Sequence, residues 1–259
     1  MRDPRSILIT GASSGIGAAL ARRYAAPGVA LALGGRDATR LDTVDQSCRA
    51  AGARVTATAV DVTDAGATED WVARCDREVP LDLVIANAGV SGGTAGGGRG
   101  FGEGPEQAAR IRAVNVDGVV NTAAPALPLM AARGRGQLAL MSSLAGFRGF
   151  PGAPAYCASK AWVRVWGESL RPDWRRRGVT VSVICPGYVR SPMTDRNDFP
   201  MPFLMDVDRA AAIVARGLAR GAARIVFPWR LYAILRIVAA LPEPLLDRLL
   251  ARLPRKRGL

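Results

Sequence analysis

A glycine-rich segment near the N-terminus constrains the fold of this chain most. Residues 6–10 form a short apolar run, residues 11–17 read Gly-Ala-Ser-Ser-Gly-Ile-Gly, and residues 18–24 have helical character. Glycines in a strand-to-helix turn let the backbone approach a pyrophosphate, which the helix N-terminus then stabilises. The spacing is Gly-x-x-x-Gly-x-Gly, and a plain turn is the alternative interpretation. The flanking strand and helix favour phosphate binding, which we assign to Gly11, Ser13, Ser14, Gly15, Ile16 and Gly17.

Apolar runs alternate with helical segments along the chain. After 6–10, predicted strands cover residues 29–33, 54–60, 81–86, 137–141, 179–184 and 224–227. After 18–24, predicted helices cover residues 38–51, 64–78, 105–133, 155–177 and 207–220. Such alternation predicts one α/β domain with a doubly wound parallel sheet of about seven strands. Because proline disfavours a helix interior, we expect Pro125 and Pro128 to kink or end their helix early, and Pro172 to kink or shorten its helix.

Composition narrows the classes of function. The 259 residues include 35 Lys+Arg and 22 Asp+Glu, a net charge of +13 that raises nucleic-acid binding as a possibility. The arginines are scattered, with no basic stripe between aromatics, so we expect no nucleic-acid partner. The absence of histidine excludes a Ser-His-Asp triad, and four cysteines without Cys-x-x-Cys spacing argue against a metal site. Free thiols and no export signal predict a cytoplasmic protein.

The end of the second predicted strand bears on the choice of nucleotide. An acidic residue there would hold a ribose 2′-hydroxyl, whereas this chain has Gly35 followed by Arg36. A cation suits a 2′-phosphate, so NADP(H) is expected in preference to NAD(H). Asp37 weakens this argument, but we expect it to cap the next helix. Asp61 and Val62, at the end of the third strand, are predicted to contact the adenine.

A tyrosine and a lysine four residues apart suggest acid–base chemistry. Tyr156 and Lys160 would share one face of a helix, and Lys160 is one of two lysines in the chain. An ammonium beside the phenol would favour the phenolate and lower the tyrosine pKa toward working pH. The alternative is an ordinary helix start with a solvated lysine. Ser143, at the end of the fifth strand, lies thirteen residues before Tyr156.

Taken together, these motifs resemble the short-chain dehydrogenases/reductases in order and spacing over about residues 5–195. The matching segments are Thr10 to Gly17, Asn87-Ala88-Gly89, Asn115, Ser143, Tyr156-x-x-x-Lys160 and Pro186-Gly187. The resemblance implies a Rossmann-like fold, a nicotinamide cofactor and interconversion of a carbonyl and a secondary alcohol. Family members are commonly dimers or tetramers, so it also implies a homo-oligomer.

The resemblance further implies a role for each catalytic residue. Tyr156 is the general acid/base, Ser143 polarises the carbonyl oxygen, and Lys160 binds the nicotinamide ribose and lowers the tyrosine pKa. Asn115 supports a water that links Lys160 to solvent, and Ser142 is a packing or hydrogen-bonding neighbour. Ser191 or Thr194 would hold the carboxamide. The remaining cofactor contacts implied are Asn87, Ala88, Gly89, Tyr156, Lys160, Pro186, Gly187, Val189 and Ser191.

Substrate choice is expected beyond the family motifs. Tyr188 is predicted to line the substrate site together with Ser143, and 91–104 to form a mobile surface loop near the strand ends. Residues 192–205 are interpreted as a lid over an apolar carbonyl substrate. Packing of the same side chains into the core is the alternative. The apolar members of this segment are Met193, Phe199, Met201, Phe203, Leu204 and Met205.

The C-terminal segment 229–259 is expected to be a basic, amphipathic helical extension to a catalytic domain of residues 1–228. Arg236 interrupts its apolar run, which is therefore too short to span a bilayer. Peripheral contact with a membrane and packing against the body or a partner subunit both stay open. A catalytically silent NADP(H)-binding scaffold or membrane-tethered sensor is the alternative function. The complete set of Ser143, Tyr156 and Lys160 argues against it.

Overall fold

One parallel sheet forms the centre of the molecule. The computed structural model describes residues 3–92, 103–197 and 199–250. Its strands are β1 (Ser6–Thr10), β2 (Ala30–Gly35), β3 (Arg54–Ala59), β4 (Leu83–Ala86), β5 (Gly136–Met141), β6 (Val179–Pro186) and β7 (Arg224–Phe227). They pair in the order β3-β2-β1-β4-β5-β6-β7, every pair parallel. The predicted seven-stranded, doubly wound sheet is confirmed.

Helices cover both faces of this sheet. They are α1 (Gly15–Tyr24), α2 (Ala38–Ala50), α3 (Ala65–Glu78), α4 (Pro105–Arg112), α5 (Gly118–Ala132), α6 (Pro154–Arg176), α7 (Val207–Ala219), α8 (Trp229–Val238) and α9 (Glu243–Leu250). Alternate strand residues supply two apolar cores: Ile7 and Ile9 pack under α1, α2 and α7, whereas Leu8 packs under α3, α5 and α6. Burial on both faces explains why the strands read as nearly continuous apolar runs.

The chain reverses its direction across the sheet between β1 and β4. Such a switch point opens a crevice at the carboxyl ends of the strands, where ligands bind in open α/β sheets. Asn87 ties the two strand ends together, because its side-chain amide donates to the Thr10 carbonyl at 2.9 Å. The Thr10 hydroxyl in turn accepts from the backbone amides of Asn87 and Ala88 at 3.0 and 3.1 Å. These hydrogen bonds therefore fix the ends of β1 and β4, which form the base of the crevice.

The prolines do not end or shorten their helices, so this part of the prediction is wrong. The predicted helix over 105–133 is formed by α4, a π-helical turn at Ala113–Asp117 and α5, which runs through Pro125 and Pro128. Pro172 likewise lies inside α6, which continues to Arg176. Each proline removes one backbone hydrogen bond, but α5 buries a full apolar face against the sheet. Tertiary packing of that face contributes more to helix stability than local propensity.

The C-terminal helices pack on the body of the molecule. Leu235 of α8 is buried with Leu144, Val183 and Cys185, and the Tyr232 ring lies edge-on to Phe147, with 5.0 Å between centroids. Glu243, at the start of α9, pairs with Arg148 at 2.9 Å. Across the described ranges, none of the helices combines the length and the apolar character needed to cross a membrane. Residues 93–102 of the predicted loop and 251–259 of the predicted extension lie outside the described residues.

Candidate active site

A cavity of about 770 Å³ lies at the carboxyl ends of the strands. Segments that follow β1 to β6 form its walls, and one side of α8 closes it. The cavity brings together all the predicted catalytic, cofactor and substrate residues except two, Gly17 and Asn115. Gly17 packs behind the glycine turn, and Asn115 is fully buried beside the cavity.

The turn between β1 and α1 fits the phosphates of a dinucleotide. Gly11 and Gly15 have φ angles of +65° and +55°, which residues with a Cβ rarely adopt. A Cβ on Gly17 would lie 2.3 Å from the carbonyl oxygen of Gly11, so this first turn of α1 needs a glycine. Ser14, Gly15 and Ile16 bring the start of α1 to the cavity wall, where backbone N–H groups favour an anion.

We call the end of the cavity beside β2 and β3 the adenine end, after the prediction for Asp61 and Val62, and it carries two arginines. The Arg36 guanidinium is half exposed and lies 4.0 Å from the Asp61 carboxylate. Asp37 caps α2 as predicted: its carboxylate accepts from the Arg40 backbone amide at 2.9 Å and from the Arg40 side chain at 2.6 Å. These hydrogen bonds hold the Asp37 pKa below its ordinary value. Sequence reasoning missed Arg40, which also lines the cavity and lies three residues after the cap.

Three side chains meet at the centre of the cavity. Tyr156 lies in the first turn of α6, and the Lys160 Nζ atom is 5.8 Å from the centroid of its ring. Lys160 is buried and donates to the Met141 carbonyl at 3.0 Å, so it is not the solvated lysine of the alternative interpretation. The Ser143 hydroxyl, just past β5, donates to the Pro186 carbonyl at 3.3 Å and accepts from the Ala145 amide at 3.1 Å.

Burial dominates the electrostatics of this centre. It raises the pKa of Tyr156 from 10.0 to about 12, against the opposing effect of a hydrogen bond with Ser143. It lowers the pKa of Lys160 from 10.5 to about 8. Desolvation of the phenolate thus moves the Tyr156 pKa away from working pH, whereas the sequence predicted a shift toward it. At neutral pH the phenol holds its proton.

Asn115 supports the centre from behind. It lies in the π-helical turn, a feature common at functional sites. Its side-chain oxygen accepts from the Val90 amide at 2.8 Å, and its amide donates to the Val90 carbonyl at 2.9 Å and to the Ser159 hydroxyl at 3.0 Å. A Cβ on Gly89 would lie 3.2 Å from Lys160 Nζ and 3.3 Å from the Asn115 oxygen. The Asn115 amide therefore joins the loop after β4 to α6.

Three further hydroxyl side chains can be compared with their predictions. Ser142 is a hydrogen-bonding neighbour, as expected, since its hydroxyl donates to the Lys160 carbonyl at 2.7 Å. Ser191 and Thr194 both line the cavity, and the Ser191 amide donates to the Thr194 hydroxyl at 2.9 Å. Both hydroxyl groups can reach the cavity. Ser191 and Thr194 therefore both stay candidates for holding the nicotinamide carboxamide.

We call the end of the cavity beside Tyr188 the substrate end, after the prediction for that residue, and apolar side chains line most of it. Met193 and Phe199 line it, whereas Met205 is buried in the core. The interpretation of 192–205 as a lid over the substrate stays a prediction. Tyr188 faces Phe199 edge-on, with 6.2 Å between ring centroids. The prediction missed Phe150 and the contribution of α8, whose cavity-lining residues are Leu231, Ile234, Leu235 and Val238. Their i, i+3, i+4, i+7 spacing was the available signal.

Comparison with known proteins agrees with this geometry. A model of the short chain dehydrogenase family matches residues 5–199. An uncharacterized oxidoreductase of Myxococcus xanthus is 44% identical over 253 residues, covering 96% of this chain and 97% of that protein.

Two solved structures are similar throughout. A short-chain dehydrogenase from Sphingobium yanoikuyae in complex with NADPH has a TM-score of 0.78 at 26% identity, covering 98% of each chain. A short-chain dehydrogenase/reductase from Burkholderia phymatum in complex with NAD has a TM-score of 0.81 at 25% identity, covering 91% of this chain and 92% of the other. The chain therefore belongs to the short-chain dehydrogenase family of nicotinamide-dependent oxidoreductases.

Proposed function

We propose that the protein is an NADP(H)-dependent oxidoreductase that interconverts a carbonyl and a secondary alcohol. The observation that carries this proposal is that Ser143, Tyr156 and Lys160 line the same cavity as the glycine turn after β1. When bound, the nicotinamide supplies or accepts the hydride. The chain's own residues have to bind the substrate oxygen and move one proton.

The proposed proton transfer uses two hydroxyl groups. The Ser143 hydroxyl donates to the carbonyl oxygen and stabilises the negative charge that develops there. Tyr156 then gives its phenolic proton to that oxygen. Its raised pKa of about 12 keeps the phenol protonated at neutral pH. Lys160 is largely protonated at the same pH and stabilises the phenolate that remains.

The preference for NADP(H) is supported by charge at the end of β2. Arg36 and Arg40 both line the adenine end of the cavity. Asp37, the nearest carboxylate in sequence, is engaged as the cap of α2 and in the pair with Arg40. Guanidinium groups bind phosphate oxygens through charge-assisted hydrogen bonds, and a 2′-phosphate would therefore find two partners here.

The proposal is tested by a panel of carbonyl compounds with each reduced nucleotide. We expect NADPH to be consumed with at least one carbonyl, and to bind at least tenfold more tightly than NADH in a fluorescence titration. Tight NADPH binding without turnover on any carbonyl or alcohol would favour the silent scaffold instead. Tighter NADH binding would contradict the role of Arg36.

We also propose that the protein is a homo-oligomer. Trp162 and Val165 are 40% and 51% exposed on α6, and Trp162 stacks on Trp166. Such an apolar face on a long helix is suited to a second copy of the chain. Light scattering coupled to gel filtration should give at least twice the mass of one chain, and Trp162→Glu should return it to one.

Peripheral membrane contact through the C-terminal segment stays a prediction. Trp229 and Ile237 are 71% and 68% exposed on α8, beside Arg230 and Arg236. Apolar and basic side chains on one helix are typical of interfacial segments. Co-sedimentation with anionic vesicles tests it, and a Trp229→Ser, Ile237→Ser variant should sediment less.

A further inference from the structure

Helix α8 has two apolar faces with different surroundings. Leu231, Ile234, Leu235 and Val238 line the cavity, whereas Ile237 does not line it. Ile237 is 68% exposed and Ile234 is 47% exposed. The lining residues come from a segment that carries none of the family motifs and lies beyond the matched residues 5–199. The residue types at these lining positions therefore depend either on the ligand that binds at this end of the cavity or on the packing of α8.

The contacts of α8 place this wall directly beside the catalytic centre. A Cβ on Gly187 would lie 3.1 Å from Leu231 and 3.0 Å from Pro228. Leu235 packs on Leu144, the residue that follows Ser143. A group attached to a carbonyl carbon held at Ser143 would extend along the cavity face of α8.

Further apolar and aromatic side chains line this end of the cavity. Phe150, Tyr188, Met193 and Phe199 line it. The charged residues that line the described part of the cavity lie elsewhere: Arg36, Asp37, Arg40 and Asp61 at the adenine end, and Lys160 at the centre. A charged substituent would therefore lose its hydration without gaining a charged partner.

We propose that α8 forms an apolar subsite that selects carbonyl substrates bearing a bulky uncharged hydrocarbon group, of the alkyl, alicyclic or aryl class. This inference rests on the proposed function and names its substrate class. Burial of each methylene contributes about fourfold to affinity by the usual transfer free energy. The subsite should thus make kcat/KM rise steeply with the length of an alkyl substituent until the space is filled.

A homologous series of methyl n-alkyl ketones tests the subsite. In the wild type, kcat/KM should rise about fourfold per methylene. Ile234→Ser should flatten this rise, while the matched control Ile237→Ser, in the same helix but outside the cavity lining, should leave it unchanged. A flat series in the wild type, or equal slopes in both variants, would overturn the proposal.

A binding arm separates this subsite from the proposed function. Affinities of 2-alkanols of increasing length can be measured by calorimetry without turnover. Affinity that rises with length and falls in Ile234→Ser supports the subsite even if no ketone is reduced, in which case the proposed function alone fails. Affinity independent of length would overturn the subsite whether or not ketones are reduced.

A different observation concerns Glu103, which is buried and lies two residues before α4. Its Oε2 atom accepts from the backbone amides of Ala155 and Tyr156 at 2.5 and 3.1 Å. Helix α6 begins at Pro154, and its N-cap residue Ala153 has no side-chain acceptor. A carboxylate from a distant part of the chain thus satisfies the first free amides of the helix and lies at its positive end.

One of these two amides belongs to Tyr156 itself. A change at Glu103 would shift the backbone that holds the phenol, and small displacements of a reacting group reduce rate strongly. We infer that Glu103 is a positioning residue for Tyr156, acting through the N-terminus of α6. The side chain does not touch the reacting atoms, so its contribution is to geometry and to the charge around the phenol.

Three variants separate positioning from stability. Glu103→Ala should lower kcat at least tenfold with the NADPH affinity unchanged, and Glu103→Gln, which keeps an acceptor oxygen, should restore most of it. Asp64→Ala is the matched control: Asp64 caps α3 through the Ala67 amide at 2.9 Å, and its loss should lower Tm without changing kcat. Equal kcat in the two alanine variants, or no rescue by glutamine, would overturn the inference.

Hydrogen exchange gives a readout that does not depend on turnover. The peptide that spans residues 154–160 should exchange faster in Glu103→Ala and return to the wild-type rate in Glu103→Gln. Unchanged exchange in Glu103→Ala would overturn the capping contact. A wild type without turnover on any carbonyl would contradict the proposed function, while this exchange measurement still decides the role of Glu103.

Discussion

The two ends of the cavity are built in different ways. At the phosphate end, backbone atoms form the wall, and positive φ angles at Gly11 and Gly15 set its shape. At the substrate end, side chains form the wall, and they come from the segment after β6 and from α8. A wall of closely packed backbone leaves no space for additional atoms. A wall of side chains can be altered one side chain at a time, which changes the cavity volume in small steps. We therefore expect all-or-none effects at one end and graded effects at the other.

The largest expected effect comes from adding one methyl group at the phosphate end. Gly17→Ala would place a Cβ 2.3 Å from the Gly11 carbonyl oxygen and 2.5 Å from the Asn87 side chain. We expect a loss of about 3 kcal/mol or more in the free energy of unfolding, and no measurable NADPH binding. Chemical denaturation and a nucleotide titration measure the two quantities.

A glycine that does not line the cavity provides the control. A Cβ on Gly149 meets nothing within 4 Å, so Gly149→Ala should change stability and NADPH binding little. If both alanine variants bind NADPH like the wild type, the contrast between the two walls is wrong.

Ser143→Ala tests the centre, where the two ends meet. Removing one preorganised donor to a developing oxyanion lowers kcat by about 10²- to 10³-fold. Neither wall changes, so the affinities for NADPH and for an apolar alcohol should stay within about twofold of the wild type. Steady-state kinetics with both titrations measure this, and a loss of affinity without a loss of kcat would contradict the assignment.

A smaller effect is expected at the adenine end. Arg36→Asp removes one phosphate partner and adds a carboxylate that can accept from a ribose hydroxyl. We expect the ratio of NADPH to NADH affinity to fall by about tenfold to a hundredfold, the range of a charge-assisted hydrogen bond. Kinetics with each nucleotide give the ratio, and an unchanged ratio would assign the preference to Arg40 or to neither arginine.

The smallest effect concerns the buried lysine. Because its folded-state pKa of about 8 is below its ordinary 10.5, the unfolded chain binds more protons above pH 8, and stability rises with pH there. The free energy of unfolding of the wild type minus that of Lys160→Met should therefore increase by about 1 kcal/mol from pH 7 to pH 9. Urea unfolding at both pH values measures the difference, and a constant difference would show that Lys160 does not titrate in this window.

The same contrast explains which parts of the site the sequence predicts. At the phosphate end, residue type and geometry are tied together, since only glycine accepts the positive φ of Gly11 and Gly15. The turn could therefore be located from the order and spacing of residues, and the centre with Ser143, Tyr156 and Lys160 from the resemblance of its motifs to a known family. The tyrosine pKa could not, because spacing along a helix says nothing about how deeply the phenol is buried.

The substrate end resists prediction for a physical reason. An amphipathic pattern such as that of α8 has the same form whether the helix faces a membrane, a partner subunit or a cavity. Only the tertiary position of Leu231 and Ile234 decides among these. The prediction that the prolines of α5 would end that helix early was wrong for a related reason. Packing on the sheet outweighs the local preference of proline. Glu103 had no local signal, since its partners are 52 and 53 residues away.

The central claim is that Tyr156 moves the proton and contributes little else. The direct test is Tyr156→Phe, which keeps the ring and removes the hydroxyl, with kcat and the Kd for NADPH measured on the same preparation. We expect kcat to fall by about 10²- to 10⁴-fold, the usual contribution of a general acid, while the Kd changes by less than about threefold. Turnover near that of the wild type, with NADPH still bound, would contradict the account.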